Sequence, residues 1–167
     1  APFASKFSKI MNLRDKIPGL AKISEILFGF TAKRPLPEWR SDYFKDNELS
    51  DTIDKTEKRK PVILFVDTFN RYYEPENVRS AIKVLKAAGF FPFIPKSKNT
   101  KHSLCCGRTY LSNGLIKNAK IEANNVFDTF LPYLSQGISI VGLEPSCILS
   151  FRDELPDLLK VKNTDLL

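Results

Sequence analysis

Pro61-Val62-Ile63-Leu64-Phe65-Val66-Asp67, then Thr68-Phe69-Asn70-Arg71-Tyr72-Tyr73, then Glu74-Pro75-Glu76-Asn77-Val78 and on to Gly89, is the stretch that decides the fold. A short unbroken apolar run of this kind belongs to a strand buried on both faces. The run stops at an acidic residue and a polar, aromatic loop. The next segment has helical character: Pro75 suits a first helical turn. Val78, Ile82, Val84 and Leu85 supply an apolar stripe, and Gly89 suits the position just past a helix end. The stretch therefore predicts one strand–loop–helix unit.

The same pattern recurs downstream. A second apolar run spans Phe90 to Pro95, and a polar loop, Lys96 to Leu104, leads to Cys105-Cys106-Gly107-Arg108. A long helix is expected from about Tyr110 to Leu134, with Leu115, Ala119, Ile121, Val126, Phe130 and Leu134 facing inward. Ile138 to Gly142 reads as a third strand, and a last helix runs from near Ser146 through Leu159. Strand and helix thus alternate three times, which predicts an α/β fold: a small parallel sheet with flanking helices.

Upstream, residues 1–40 form a predicted helical arm. Phe3, Phe7, Ile10, Leu13, Ile17, Leu20, Ile23 and Leu27 lie at helical spacing, with a break at Pro18-Gly19 into two helices. Residues 41–60 are polar and charged and read as a linker. Residues 61–167 form the expected α/β domain.

The chain has 26 Lys plus Arg against 19 Asp plus Glu, a net charge of +7, and 43% hydrophobic residues. That hydrophobic content supports a packed core at 167 residues. The basic residues are dispersed and accompany no nucleic-acid-binding motif, so no nucleic-acid partner is expected. No apolar run is long enough for a transmembrane segment. Three cysteines do not make a secreted disulfide framework, and a reducing, cytoplasmic setting is expected, or one peripheral to the inner membrane. The opening Ala-Pro-Phe-Ala-Ser-Lys, with no Met and no signal-peptide core, suggests a piece of a longer protein.

The chemistry-bearing residues sit at one place in this topology. In a parallel α/β sheet, ligands gather beyond the C-terminal ends of the strands. Asp67 follows the first strand, Cys105 and Cys106 the second after its loop, and Cys147 the third. Thiolates are nucleophiles and soft metal ligands, so Cys105, Cys106, Cys147 and Asp67 form the candidate site. Each residue also has a plainer role open to it. Cysteines serve as small buried hydrophobes, Asp67 can cap a turn, and Glu144 can face a helix N-terminus. His102 is the single histidine and reads as a surface loop residue, three positions before Cys105. Arg108 can bind a carboxylate or pair with Asp153 or Glu154. Phe69, Tyr72, Tyr73 and Tyr110 can shield the site or pack in the core.

Cys105-Cys106-Gly107, with Asp67 and Glu144-Pro145-Ser146-Cys147 on either side, resembles the cysteine-rich CCG domain of heterodisulfide reductase subunits and of glycolate and lactate oxidase iron–sulfur subunits. In that family a cysteine precedes the Cys-Cys-Gly and a Cys-x-x-Cys comes after it. Two of the five ligand positions are carboxylates here, Asp67 and Glu144. The segments Phe65 to Asn77, Cys105 to Gly114 and Val141 to Pro156 are similar to the C-terminal region of FAD-linked D-lactate or D-2-hydroxy-acid dehydrogenase-like oxidoreductases. The resemblance implies a redox module that holds a 4Fe–4S-type iron–sulfur cluster or passes electrons. Cys105, Cys106 and Cys147 would be its ligands, with Asp67 as an oxygen donor. Zn is the alternative metal. FAD would belong to the parent chain only. The implied partners are the flavin and ferredoxin-like parts of that parent, and the fragment alone would not be an active enzyme. The rival expectation is a non-catalytic interaction domain with a degenerate metal site.

Overall fold

A computed structural model describes residues 2–54 and 56–159. The end of the expected α/β domain, 160–167, lies outside the described residues. In chain order the elements are α1 (Pro2–Lys6), α2 (Ser8–Met11), α3 (Leu13–Lys16), α4 (Leu20–Phe28), a 3-10 turn (Asp46–Glu48), β1 (Lys60–Phe65), α5 (Thr68–Tyr72), α6 (Pro75–Ala87), β2 (Phe90–Phe93), α7 (Arg108–Ser112), α8 (Ile116–Leu134), β3 (Ile140–Gly142), α9 (Pro145–Ser150) and α10 (Glu154–Leu159).

The protein is an α/β fold with a three-stranded parallel sheet in the order β2-β1-β3. Lys60 pairs with Phe90 and Ile63 with Phe93 on one side, and Ile63 pairs with Ile140 and Phe65 with Gly142 on the other. Side chains alternate across a strand, so the central β1 feeds two cores. Ile63 and Phe65 join Phe93, Ala123, Val126, Phe130, Phe151 and Leu155 on the face covered by α8 and α10. Leu64 and Val66 join Phe44, Val78 and Ile94 on the face covered by α6. That division explains the unbroken apolar run from Val62 to Val66, all of it buried.

The polar segment 41–60 is anchored to the domain. Phe44 is fully buried in the α6-side core, and its N–H donates to Arg71 O at 2.9 Å. Arg71, itself buried, reaches Asp46 at 2.6 Å, and Arg79 grips Glu48 at 2.9 Å. Ile94 N–H, at the end of β2, donates to Ser50 O at 3.0 Å. A segment that looks solvated by composition is held by one aromatic anchor and two arginines.

Several expected helices are shorter than their periodicity suggests. The helix expected from Tyr110 to Leu134 is two helices, because the chain turns at Gly114 with φ +72°, a conformation glycine adopts without steric cost. Leu115 and Ile121 are exposed, whereas Ala119, Val126 and Phe130 are buried. The final helix is also divided, by the turn Phe151–Asp153. On α6, Val84 faces solvent and Val78 carries the buried contact. The arm contains four short helices, with breaks at Phe7 and Asn12 besides Pro18-Gly19. Its interior is a polar knot. The largely buried Arg14 donates to Ser24 Oγ at 2.7 Å and Thr31 O at 2.7 Å and pairs with Asp15. Asn12 clasps the Trp39 backbone through both its amide atoms, at 2.8 and 2.9 Å.

Candidate functional site

The Cys-Cys-Gly segment enters α7 through Gly107, which has φ +77°. A Cβ at this position would lie 3.2 Å from Ala119 O. Glycine is therefore required twice over, for its left-handed backbone and for its close approach to α8. Cys147 sits in the first turn of α9, which packs against β3 at Gly142. A Cβ on Gly142 would lie 2.9 Å from Ile148 Cβ. Both cysteine-bearing segments are thus held against the body of the domain by glycines.

These constraints bring sulfurs from distant parts of the chain together. The Cys106 thiol donates to Cys147 Sγ at 3.1 Å across 41 residues of sequence. The adjacent Cys105 thiol interacts with Cys106, and its sulfur accepts from Gly107 N–H at 3.5 Å. Cys106 is buried among the Phe65, Ala123 and Phe151 core, while Cys105 and Cys147 are half-buried. The hydrogen bond with Cys106 and burial drive the Cys105 thiol well above its ordinary range. For Cys106, the bond with Cys105 pulls downward, but the bond to Cys147 and burial outweigh it, and the thiol is pushed up to about 11. At neutral pH both are held as thiols.

The two carboxylates are placed differently. Asp67, 2% exposed, is the N-cap of α5. Its Oδ1 accepts from Phe69 N–H at 2.9 Å and Asn70 N–H at 3.0 Å, and its Oδ2 from the Asn70 side-chain amide at 2.7 Å. Glu144 caps α9, accepting from Ser146 N–H at 3.3 Å and Ser146 Oγ at 2.7 Å. An N-terminal carboxylate satisfies helix donors that otherwise lack partners. Both carboxylates are therefore committed to their own helices. Among the described residues no group of three or more His, Cys, Asp or Glu side chains is arranged to hold a metal. Three thiols are suitably soft donors, but a four-ligand iron–sulfur or Zn site does not fit the side chains as they stand.

A cavity of about 260 Å³ opens beside Cys105, lined also by Thr68, Arg71, His102, Tyr110 and Glu122. Thr68, not Asp67, represents the end of β1 there. Glu122 is buried, and its Oε2 has no hydrogen-bond partner among the described residues. His102 is exposed, with Nε2 3.8 Å from Glu122 Oε1 and Nδ1 3.0 Å from Ser103 O. Arg108 pairs with Glu154. Tyr72 and Tyr73 pack with Tyr43 and Trp39, at ring-centroid distances of 5.3 and 4.6 Å, and so tie the arm to α5. Sequence reasoning misses Glu122, although a carboxylate three residues after Ala119 on a buried helical stripe is a readable signal.

The chain is similar along most of its length to three enzymes or enzyme components. One component of the anaerobic glycerol-3-phosphate dehydrogenase of Escherichia coli (strain K12) is 24% identical over 165 residues, 98% of this chain and 40% of the relative. D-2-hydroxyglutarate dehydrogenase of Haemophilus influenzae is 24% identical over 173 residues, 99% of this chain and 16% of the relative. D-2-hydroxyglutarate dehydrogenase of Escherichia coli (strain K12) is 26% identical over 164 residues, 92% of this chain and 15% of the relative. All three relatives are dehydrogenases by name. The chain spans less than half the length of each. No family model matches, and no solved structure does. No helix among the described residues is long and apolar enough to cross a membrane.

Proposed function

We propose that this chain is an accessory redox module of a larger oxidoreductase, a dehydrogenase of D-2-hydroxy acids or similar small hydroxylated anions. The module does not itself oxidise the substrate. It receives electrons from flavin-bearing and ferredoxin-like parts of the same parent protein and passes them on at the cysteine edge. One observation carries this reading: Cys106 and Cys147, 41 residues apart, meet at 3.1 Å with Cys105 beside them. The similarity to dehydrogenases that extend well beyond this region supports the accessory role.

Where bound, an iron–sulfur cluster would supply one-electron transfer. The capping roles of Asp67 and Glu144 argue against a complete ligand set here, and no step is assigned to a cluster. The same capping roles favour a second reading, a docking domain whose metal site has degenerated. Replacing Cys105 and Cys106 together by Ala in the parent protein separates the two. Rapid mixing with D-2-hydroxyglutarate should show unchanged flavin reduction and at least tenfold slower delivery to the electron acceptor. Unchanged acceptor turnover would remove the electron-passing role and leave the docking domain. Stoichiometric iron and sulfide in protein purified without oxygen would restore the cluster.

A further inference from the structure

No complete set of metal ligands surrounds Cys106 and Cys147 among the described residues. The two sulfurs stand 3.1 Å apart and would have to close by about 1 Å to reach the disulfide length of about 2.05 Å. The backbones that carry them are fixed by Gly107 against α8 and by Gly142 against Ile148. The alternative partner for Cys106 is its neighbour Cys105, and adjacent cysteines seldom reach unstrained disulfide geometry.

We infer that Cys106 and Cys147 form a reversible dithiol–disulfide centre whose oxidant is a low-molecular-weight disulfide of the glutathione type. Cys147 is the more open of the two sulfurs. Its thiolate attacks one sulfur of the small disulfide. That S–S bond breaks, and the first small thiol leaves with the proton that Cys147 has given up. Cys106, already in contact, attacks the Cys147 sulfur of the mixed disulfide. The Cys106–Cys147 bond forms, and the second small thiol leaves with the Cys106 proton. Two protein thiols are oxidised and one small disulfide is reduced to two thiols, so atoms and electrons balance. Cys105, which lines the neighbouring cavity, stays reduced. The inference deepens the electron-passing reading by naming the group that carries the electrons, and its chemistry can be tested without the parent's turnover.

The test equilibrates the full chain with glutathione buffers of increasing oxidised fraction, blocks free thiols with iodoacetamide and maps peptides by mass spectrometry. The expected product has lost two hydrogens, carries one alkyl group, on Cys105, and yields a Cys106–Cys147 cross-linked peptide. Cys105→Ser should preserve this cross-link. Cys106→Ser should instead accumulate the glutathione adduct on Cys147, at least tenfold above wild type. A Cys105–Cys106 cross-link, or three alkylated cysteines across the whole buffer series, would overturn the inference. The wild-type map is decisive even if a variant fails to fold. A Cys106–Cys147 cross-link together with unchanged acceptor turnover in the Cys105/Cys106 double variant would keep this inference and refute the electron-passing role.

Discussion

Replacing Asp67 by Ala tests whether this carboxylate is a helix cap or a ligand. The side chain is 2% exposed and accepts three hydrogen bonds. Loss of a helix N-cap costs about 1 kcal/mol and up to about 2. Loss of the buried bond from the Asn70 amide to a charged acceptor adds about 1.5 to 3 kcal/mol before relaxation. Neighbouring effects of this kind do not add fully, so about 3 kcal/mol is expected for Asp67→Ala. For a domain of this size that corresponds to a fall of roughly 6–12 °C in Tm. Asp67→Asn keeps one oxygen for the backbone donors but turns an NH2 towards the Asn70 amide. Asn70 cannot simply flip, because its Oδ1 accepts from Asn77 at 3.0 Å; about 1 kcal/mol is expected. Asp67→Cys, which restores the residue of the resembled family, should cost nearly as much as Ala, because a thiol is a poor acceptor. Urea denaturation followed by circular dichroism, with iron analysis of each sample, measures all three. A loss below about 0.5 kcal/mol for Asp67→Ala, or an Asp67→Cys protein that gains both iron and stability, would refute the capping account.

Gly142→Ala should destabilise by about 1–3 kcal/mol, the usual range for overpacking, since its Cβ would meet Ile148 Cβ at 2.9 Å; the urea midpoint reads this directly. Phe130→Ala, which removes a ring packed edge-on against Phe65 and Phe151, should cost about 3–5 kcal/mol, and calorimetry would show it as a fall in Tm. Stability should also decline at alkaline pH. The Cys106 thiol ionises near 11 in the fold and near about 8.5 in an unfolded chain. Its contribution is therefore complete below about pH 8.5 and lost as pH rises through about 11, the unfolded state releasing its proton first. Cys106→Ser should flatten that alkaline slope in urea midpoints measured from neutral pH upward.

The element order was readable because β1 is apolar on both faces and Pro75 and Gly89 bracket α6. Element lengths were less so. Asn113-Gly114 is a known turn signal, yet the apolar spacing on both sides of it extrapolates smoothly into a single helix. Phe44 shows the opposite difficulty: one aromatic in a charged stretch carries no periodicity, and only the hollow between α6 and the sheet gives it a place. At the candidate site, topology alone set Asp67 and the cysteines beyond the strand ends. Whether a carboxylate there points at a metal or folds back onto its own helix depends on side-chain rotation, which spacing does not encode. Asp67 and Glu144 both fold back.

Strand β2 forms the outer border of the sheet, and it is a poor template for further growth. Pro92, in its middle, has no N–H to offer, and Ile94 gives its N–H to Ser50. A foreign strand laid along this border would find no two successive donors to zip onto, and the opposite border, β3, is only three residues long. So small a parallel sheet would otherwise invite edge-to-edge self-association. Proline at 92 and the clasp of Ser50 act as guards against polymerisation. Pro92→Val would return the missing donor to that border and open it to recruitment by neighbouring molecules.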